Sequence, residues 1–290
     1  MRAILVLVIL LCALATDEFA SPVEPAHATG TVEVTSVGDE AASGGAICPH
    51  PTLCTLRRAI EMANADTGND PFVISFASSA APTEIGIGNS ALPNITRDGV
   101  TIDGDGAHVL LRNDSNSLTA VTNGLTVTGA GFVLRNMAIS GFRGACVAAT
   151  GANPTVGAVA AGNAVGGCGT GIAVGGVGAI VRSNLVGFTP AGGADPVETG
   201  IVIAAGNSTI GGPASVQGAG NTIGNATTGI FVGSGGTQAF SGTQIERNVL
   251  GRGPDNSAAP VTRGILLSQP SDDTSVLTNT ITNAGDGIVV

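Results

Sequence analysis

The chain contains no Trp, no Tyr and no Lys, and its aromatic rings are eight Phe. Each absence excludes something. Sugar faces usually stack on amphipathic rings that combine apolar area with a hydrogen-bonding handle, and neither ring of that kind is present. With 11 Arg, no Lys and 21 acids the formal charge is −10. Such a surface repels phosphate backbones and anionic lipid, which excludes nucleic acid and membrane headgroups as partners. Calcium repeats of the Gly-Gly-x-Gly-x-Asp type and G-x-S-x-G nucleophile elbows are also missing.

Long apolar runs are scarce too. The one that exists, Ala3–Ala15, follows Arg2 and precedes a polar stretch ending in Ala26-His27-Ala28. Basic end, short apolar core and A-x-A site make a secretory signal peptide over residues 1–28, with cleavage after Ala28. The alternative of lipidation at Cys12 is disfavoured by the bulky Leu11 before it. The uncharged stretch Gly144–Val181 holds eleven Gly and neither Leu nor Phe, so it is no membrane helix and no membrane insertion is expected after the signal is removed.

Four cysteines follow the signal: Cys48, Cys54, Cys146 and Cys168. An even count in an exported chain reads as a disulfide framework rather than a metal site, since paired CxxC spacing is absent. Of the three pairings, Cys48 with Cys54 is favoured by proximity. Aligned on the Gly-Ile signature described next, Cys146 and Cys168 are five residues out of step, which leaves their pairing open.

What the chain does have is a repeat. "NAVGGCGTGIAV" begins at Asn163, "NTIGNATTGIFV" at Asn221 and "NTITNAGDGIVV" at Asn279, each 58 residues from the last. Intermediate copies give Asn136, Asn163, Asn184, Asn221, Asn248 and Asn279, at spacings of 27, 21, 37, 27 and 31. Each Asn precedes an aliphatic run, a Gly-Ile-type run and usually a third. Three short β-rich runs per unit, with inserts of free length between them, define an all-β solenoid whose strands stack on their counterparts in the next coil. The Asn are structural. They suit corners that need positive φ and can hydrogen-bond along a ladder.

The amino-terminal part differs. In "CTLRRAIEMAN", Leu56, Ala59, Ile60 and Ala63 share one helical face, with Arg57, Arg58 and Glu61 off it, as suits a helix covering the first coil. "FVISF", from Phe72, then starts the first strand. The division is residues 29–71 as amino-terminal cap and 72–290 as solenoid. Cys54-Thr55-Leu56-Arg57-Arg58-Ala59 resembles the C-S-L-R-E-A motif that opens a class of bacterial exported proteins, followed there by strands like "VTIDGDG" and Asn-Ile-Gly repeats. The resemblance covers nearly all of the chain after the signal. It departs at Thr55 for Ser and at Arg58 for Glu. It implies a right-handed parallel β-helix of the pectin-lyase-like kind, secreted or at the cell surface, and implies little chemistry.

Some β-helices act on acidic polysaccharides, through carboxylates that hold calcium and a basic residue that removes a proton. The residues nearest to this are Asp103, Asp105, His108 and Arg112 in "DGDGAHVLLR", with Asp103 and Asp105 as the calcium candidates. Asp-Gly-Asp-Gly is equally an ordinary turn, and Asp272-Asp273 in "QPSDDTS" reads as a loop. The expectation is therefore a non-catalytic exported module, surface-borne, adhesive or structural, without cofactor and with an extracellular glycan or protein as partner. The alternative is a lyase or glycoside hydrolase acting on acidic glycans.

Two further expectations concern surfaces. Alternation sends Ile172, Ile201, Ile230, Ile265 and Ile288 inward and leaves Ala173, Val202, Phe231, Leu266 and Val289 outward, an apolar stripe to be covered by the long turn of the Asn184–Asn221 unit. The run "DGIVV" closes at Val290 where earlier units continue, so the chain reads as a fragment whose last coil is open to self-association.

Overall fold

Runs of two to seven residues with alternating aliphatic and small polar side chains can satisfy their backbones only by pairing. In the computed structural model, which describes residues 30–40, 45, 47–68, 71–77, 84–88, 90–104, 109–114, 122–233, 241–268 and 273–290, each run pairs with its counterpart one coil away. Three parallel sheets result, of nine, eight and seven strands, here called A, B and C. The chain visits A, then B, then C, and returns to A one coil further on, as Ile180–Val181, Leu185–Val186 and Val197–Ile203 illustrate. It is a right-handed parallel β-helix.

The interior is three columns of aliphatic side chains. On sheet A, Ile102, Leu134, Val156, Val181, Ile210 and Ile245 stack rung on rung, all solvent-inaccessible. Sheet C contributes Val147, Ile172, Ile201, Ile230 and Ile265. Each such side chain stabilises the fold by about 1.5–3 kcal/mol. Ile288, the next in that column, is 52% exposed, so the inward series is not closed over at the last described coil.

The Gly of the Gly-Ile signature is required by close approach. A Cβ on Gly200 would lie 2.5 Å from the carbonyl oxygen of Gly229 and 2.8 Å from Ile223 Cγ2. Left-handed backbone is concentrated elsewhere. One corner column, two residues before the outward residue of each sheet A strand, reads Gly99, Gly131, Asn153, Gly178, Asn207, Gly242 and Asp273, all at positive φ. These are the residue types that tolerate that region.

The Asn form a buried ladder. Asn163, Asn184, Asn221 and Asn248 each donate from Nδ2 to the Oδ1 of the next, ending on Asn279, at 2.9–3.0 Å. The second Nδ2 hydrogen of each binds a carbonyl of the preceding coil, as Asn221 does with Val181 O at 2.9 Å. Asn136 is a correction to this set. Its neighbour Met137 stands on the ladder rung, while Asn136 occupies the left-handed corner with φ 58°. Corresponding corners hold Ser183, Arg247 and Thr278, each one residue before its ladder Asn. The expectation of positive φ thus holds for Asn136 and is corrected for Asn163, Asn184, Asn221, Asn248 and Asn279, which serve the ladder and are not at positive φ.

The helix α1 spans Leu56–Ala65 and buries Leu56, Ala59, Ile60 and Ala63. Thr55 caps it: its Oγ1 accepts from Arg58 N at 3.2 Å and donates to Glu40 O at 2.7 Å. A Ser-x-x-Glu sequence at this place would form a reciprocal capping box. Arg58 at its third helical position instead pairs with Glu61 at 3.1 Å. Arg57 is not the solvent-facing residue the helical wheel suggests. It is buried, with Nε and Nη2 on the Asp39 carboxylate and Nη1 and Nη2 donating to Ala91 O and Ser90 O. The strand count also changes at this end. Gly30–Val34 is a strand before the helix and pairs in parallel with Phe72–Phe76, so residues 29–71 carry the first rung of sheet A as well as the cap.

Cys48 and Cys54 are disulfide-bonded, with Cα atoms 4.6 Å apart. Cys146 and Cys168 are bonded too, at 5.7 Å. The observed register resolves the five-residue offset: Ala145 pairs with Thr170 and Val147 with Ile172, which sets Cys146 opposite Gly171. Three residues then separate the cysteines' levels, and left-handed Gly167 turns the chain back toward the bond.

Candidate functional site: a groove on the outer face of sheet B

Asp103 ends the strand Val100–Asp103 on sheet A. Its Oδ2 accepts from Arg135 Nε at 2.7 Å and its Oδ1 from Asn136 Nδ2 at 2.8 Å, both donors coming from the next coil. The carboxylate is thus occupied as a clamp between coils. Arg112 lies on sheet B, about half exposed, within 3.2 Å of Glu84 and 3.5 Å of Asp114. Asp103 and Arg112 therefore sit on different sheets, each with its own counter-charges. Asp105, His108 and Asp272 lie outside the described residues. Asp273 holds a left-handed corner at φ 59°. Among the described residues, no group of three His, Cys, Asp or Glu is placed to hold a metal ion.

Two adjoining cavities of about 280 Å³ and 540 Å³ share Ala138, Ala164 and Pro190 and run along the outer face of sheet B. Their floor is four successive rungs, Leu110, Ala138, Ala164 and Leu185. Pro190, Val159 and Gly218 line the larger cavity as well. The wall around Pro190 belongs to the long unit between Asn184 and Asn221, and its position corrects an expectation. That insert packs beside sheet B, fixed by Ser140 Oγ donating to Asp195 Oδ2 at 2.8 Å. Its second loop is tied to the A-to-B corner, where Ser183 Oγ donates to Gly218 O at 2.6 Å. The bonds that fix the unit run to sheet B and to the A-to-B corner. On sheet C, Ala173, Val202, Phe231, Leu266 and Val289 form one continuous ladder, each half-buried by its neighbours.

Chemically the groove is an apolar floor with polar groups around it: the Ser140–Asp195 pair, Thr189 and the sequence-predicted Arg112 in the smaller cavity, Asn136 and Ser183 in the larger. Ser140 donates a hydrogen bond from its hydroxyl to the Asp195 carboxylate, and a nucleophile would need that proton taken by a base that a third group orients. His50 is the one His among the described residues, and it lies by the cap, with Nδ1 accepting from Thr52 N at 3.2 Å. Of the groove's polar groups the sequence singles out Arg112 as a candidate for chemistry, and it hides the Ser140–Asp195 pair because the two are 55 residues apart. A trace exists in Gly166 and Gly167, where any Cβ would meet the Asp195 carboxylate. No helix among the described residues is long and apolar enough to cross a membrane. Comparison with protein-family models, curated proteins and solved structures returns no match.

Proposed function

We propose that the protein is exported through the signal peptide at residues 1–28 and acts as a non-catalytic β-helix module at the cell surface or in its surroundings, adhesive or structural in role. The observation that carries this reading is the state of Asp103, the strongest candidate for chemistry. Both its oxygens are occupied by donors from the next coil. Two formed disulfides suit an oxidising compartment, and the resemblance to CSLREA-motif exported proteins points the same way. A pectin-lyase-like scaffold supplies length and a rigid outer face, on which an extracellular glycan or protein can be held.

The test is incubation of residues 29–290 with pectin, alginate and other acidic glycans, with and without calcium, following unsaturated and reducing-end products. No turnover is expected. Calcium-dependent turnover that disappears in Asp103→Ala, with the variant still folded by circular dichroism, overturns the reading in favour of a lyase.

A further inference from the structure

The outward positions of sheet A form two columns. The first reads Thr101, Val133, Thr155, Ile180 and Thr209, rung by rung. The second, two residues further along each strand, has Asp103, Arg135, Arg182 and Glu246 as its charged members. Asp103 and Arg135 are neighbours on adjacent coils and pair at 2.7 Å. Arg182 has no such neighbour. One residue beyond the Val156–Val181–Ile210 rungs, its flanks are Gly157 and Gly211.

Those two glycines are not free to become acids. Both are left-handed, at φ 87° and 92°, and a Cβ on either would run into a carbonyl oxygen, of Arg182 and Glu246 respectively. The backbone thus forbids a counter-charge on either adjacent coil, and the acid that the column does carry on this side, Glu246, stands two coils away beyond Gly211. Its Nε is shut off from solvent and has no acceptor, so the stem is held and the two terminal nitrogens are the donors left to meet a ligand. Thr155 and Thr209 flank it diagonally, one coil to either side, at about 7–8 Å for such neighbours.

We propose that this patch is an oxyanion-binding site. The Arg182 fork receives a carboxylate or sulfate group of a ligand, and the hydroxyls of Thr155 and Thr209 donate to its remaining oxygens. A held guanidinium loses little freedom on binding, which favours the complex. This site lies on a different sheet from the groove and does not depend on the role proposed above.

The test uses residues 29–290 with ¹⁵N-labelled arginine at low ionic strength, titrated separately with sodium sulfate, sodium acetate and, as a control, sodium chloride. Exposed Arg143 serves as internal reference. The Arg182 Nε signal is expected to saturate at a concentration at least about tenfold below that for Arg143, a difference of about 1.4 kcal/mol. Sulfate and acetate arms tell which oxyanion is preferred. The pair Thr155→Val and Thr209→Val is expected to bring Arg182 back to the response of Arg143. Parallel titration of Arg182 and Arg143 in the unaltered chain, or a saturation unchanged by the Thr substitutions, overturns the proposal.

Discussion

Asn184 and Asn221 are 37 residues apart in the chain and one rung apart in space, with Asn184 Nδ2 donating to Asn221 Oδ1 at 3.0 Å. The same Oδ1 also accepts from Asn184 N at 3.0 Å, and Asn221 Nδ2 donates to Asn248 Oδ1 and Val181 O, both at 2.9 Å. Asn221→Ala would leave these buried groups without partners, at about 1–3 kcal/mol each before relaxation. A loss of about 3–5 kcal/mol is expected in urea unfolding. Asn221→Asp adds a pH signature. A buried carboxylate facing two acceptors has a raised folded pKa, so its neutral form is tolerated below the unfolded value of about 3.9 and stability falls as pH rises through the folded value. A pH-independent deficit from pH 4 to 7 would count against the ladder geometry.

Much of this fold is written in the sequence because a stack of coils repeats one burial pattern. The Asn spacing, the inward Ile and the apolar face of α1 all follow from periodicity. Register is written less clearly. Cys146 stands opposite Gly171, yet alignment on the preceding Gly144 places it two residues away, since nothing local says which Gly meets which. Corner and ladder positions are adjacent, so Asn136 and Asn163 look alike in sequence and differ in role. Arg57 deceived for another reason: its partner Asp39 lies 18 residues earlier in a segment of irregular structure. Apart from Arg112, the groove was illegible because inserts of free length carry no register at all.

Glycine requirements make a paired test. In the column Gly171, Gly200, Gly229, Gly264 and Gly287, the first four face a carbonyl oxygen of the next coil at 2.5–2.6 Å from an added Cβ, and Gly287 faces nothing within 4 Å. Gly200→Ala is expected to destabilise by about 1–3 kcal/mol, as overpacking does. Gly287→Ala should lie within about 0.5 kcal/mol of the parent. Equal effects at the two sites would show that the column is not set by coil-to-coil distance.

Thr278 is a β-branched residue held at φ 52°, a region that costs an L-residue about 1–2 kcal/mol and costs Asn less. It is exposed, so little packing is at risk. Thr278→Asn is expected to raise stability by about 0.5–1 kcal/mol, read as a higher urea midpoint at constant m. A lower midpoint would mean that the methyl group matters more than the backbone.

The Asn ladder begins at Asn163, whose Oδ1 accepts only a backbone bond from Met137 N, at 3.1 Å, on the coil before. At this one step below the ladder a disulfide joins the same two coils, Cys146 to Cys168. Closing a loop of 22 residues is worth about 3 kcal/mol by the chain-entropy account. Cys146→Ser with Cys168→Ser is therefore expected to lose roughly that much. An unchanged urea midpoint would show that packing of Met137 and Ile139 suffices to hold the coils together.

The last prediction concerns association. Ile288 continues a column whose other members are solvent-inaccessible, and it is 52% exposed, as is Leu277 on sheet A. Among the described residues, the strands Ser275–Leu277, Thr280–Ile281 and Ala284–Val289 are the outermost of their sheets, with no strand paired to their far edges. Aliphatic side chains beside unpaired backbone groups favour pairing with another chain. At the other end α1 buries its apolar face over the first coil, which blocks head-to-tail stacking. Residues 29–290 as a separate polypeptide should then pair like end to like end, a closed two-fold contact that gives dimers and not fibres. Sedimentation velocity is expected to find a dimer that dissociates on dilution, and Leu277→Asp with Ile288→Asp should yield a folded monomer. A parent that stays monomeric at about 100 μM, well above a micromolar Kd worth about −8 kcal/mol, would refute pairing through this face.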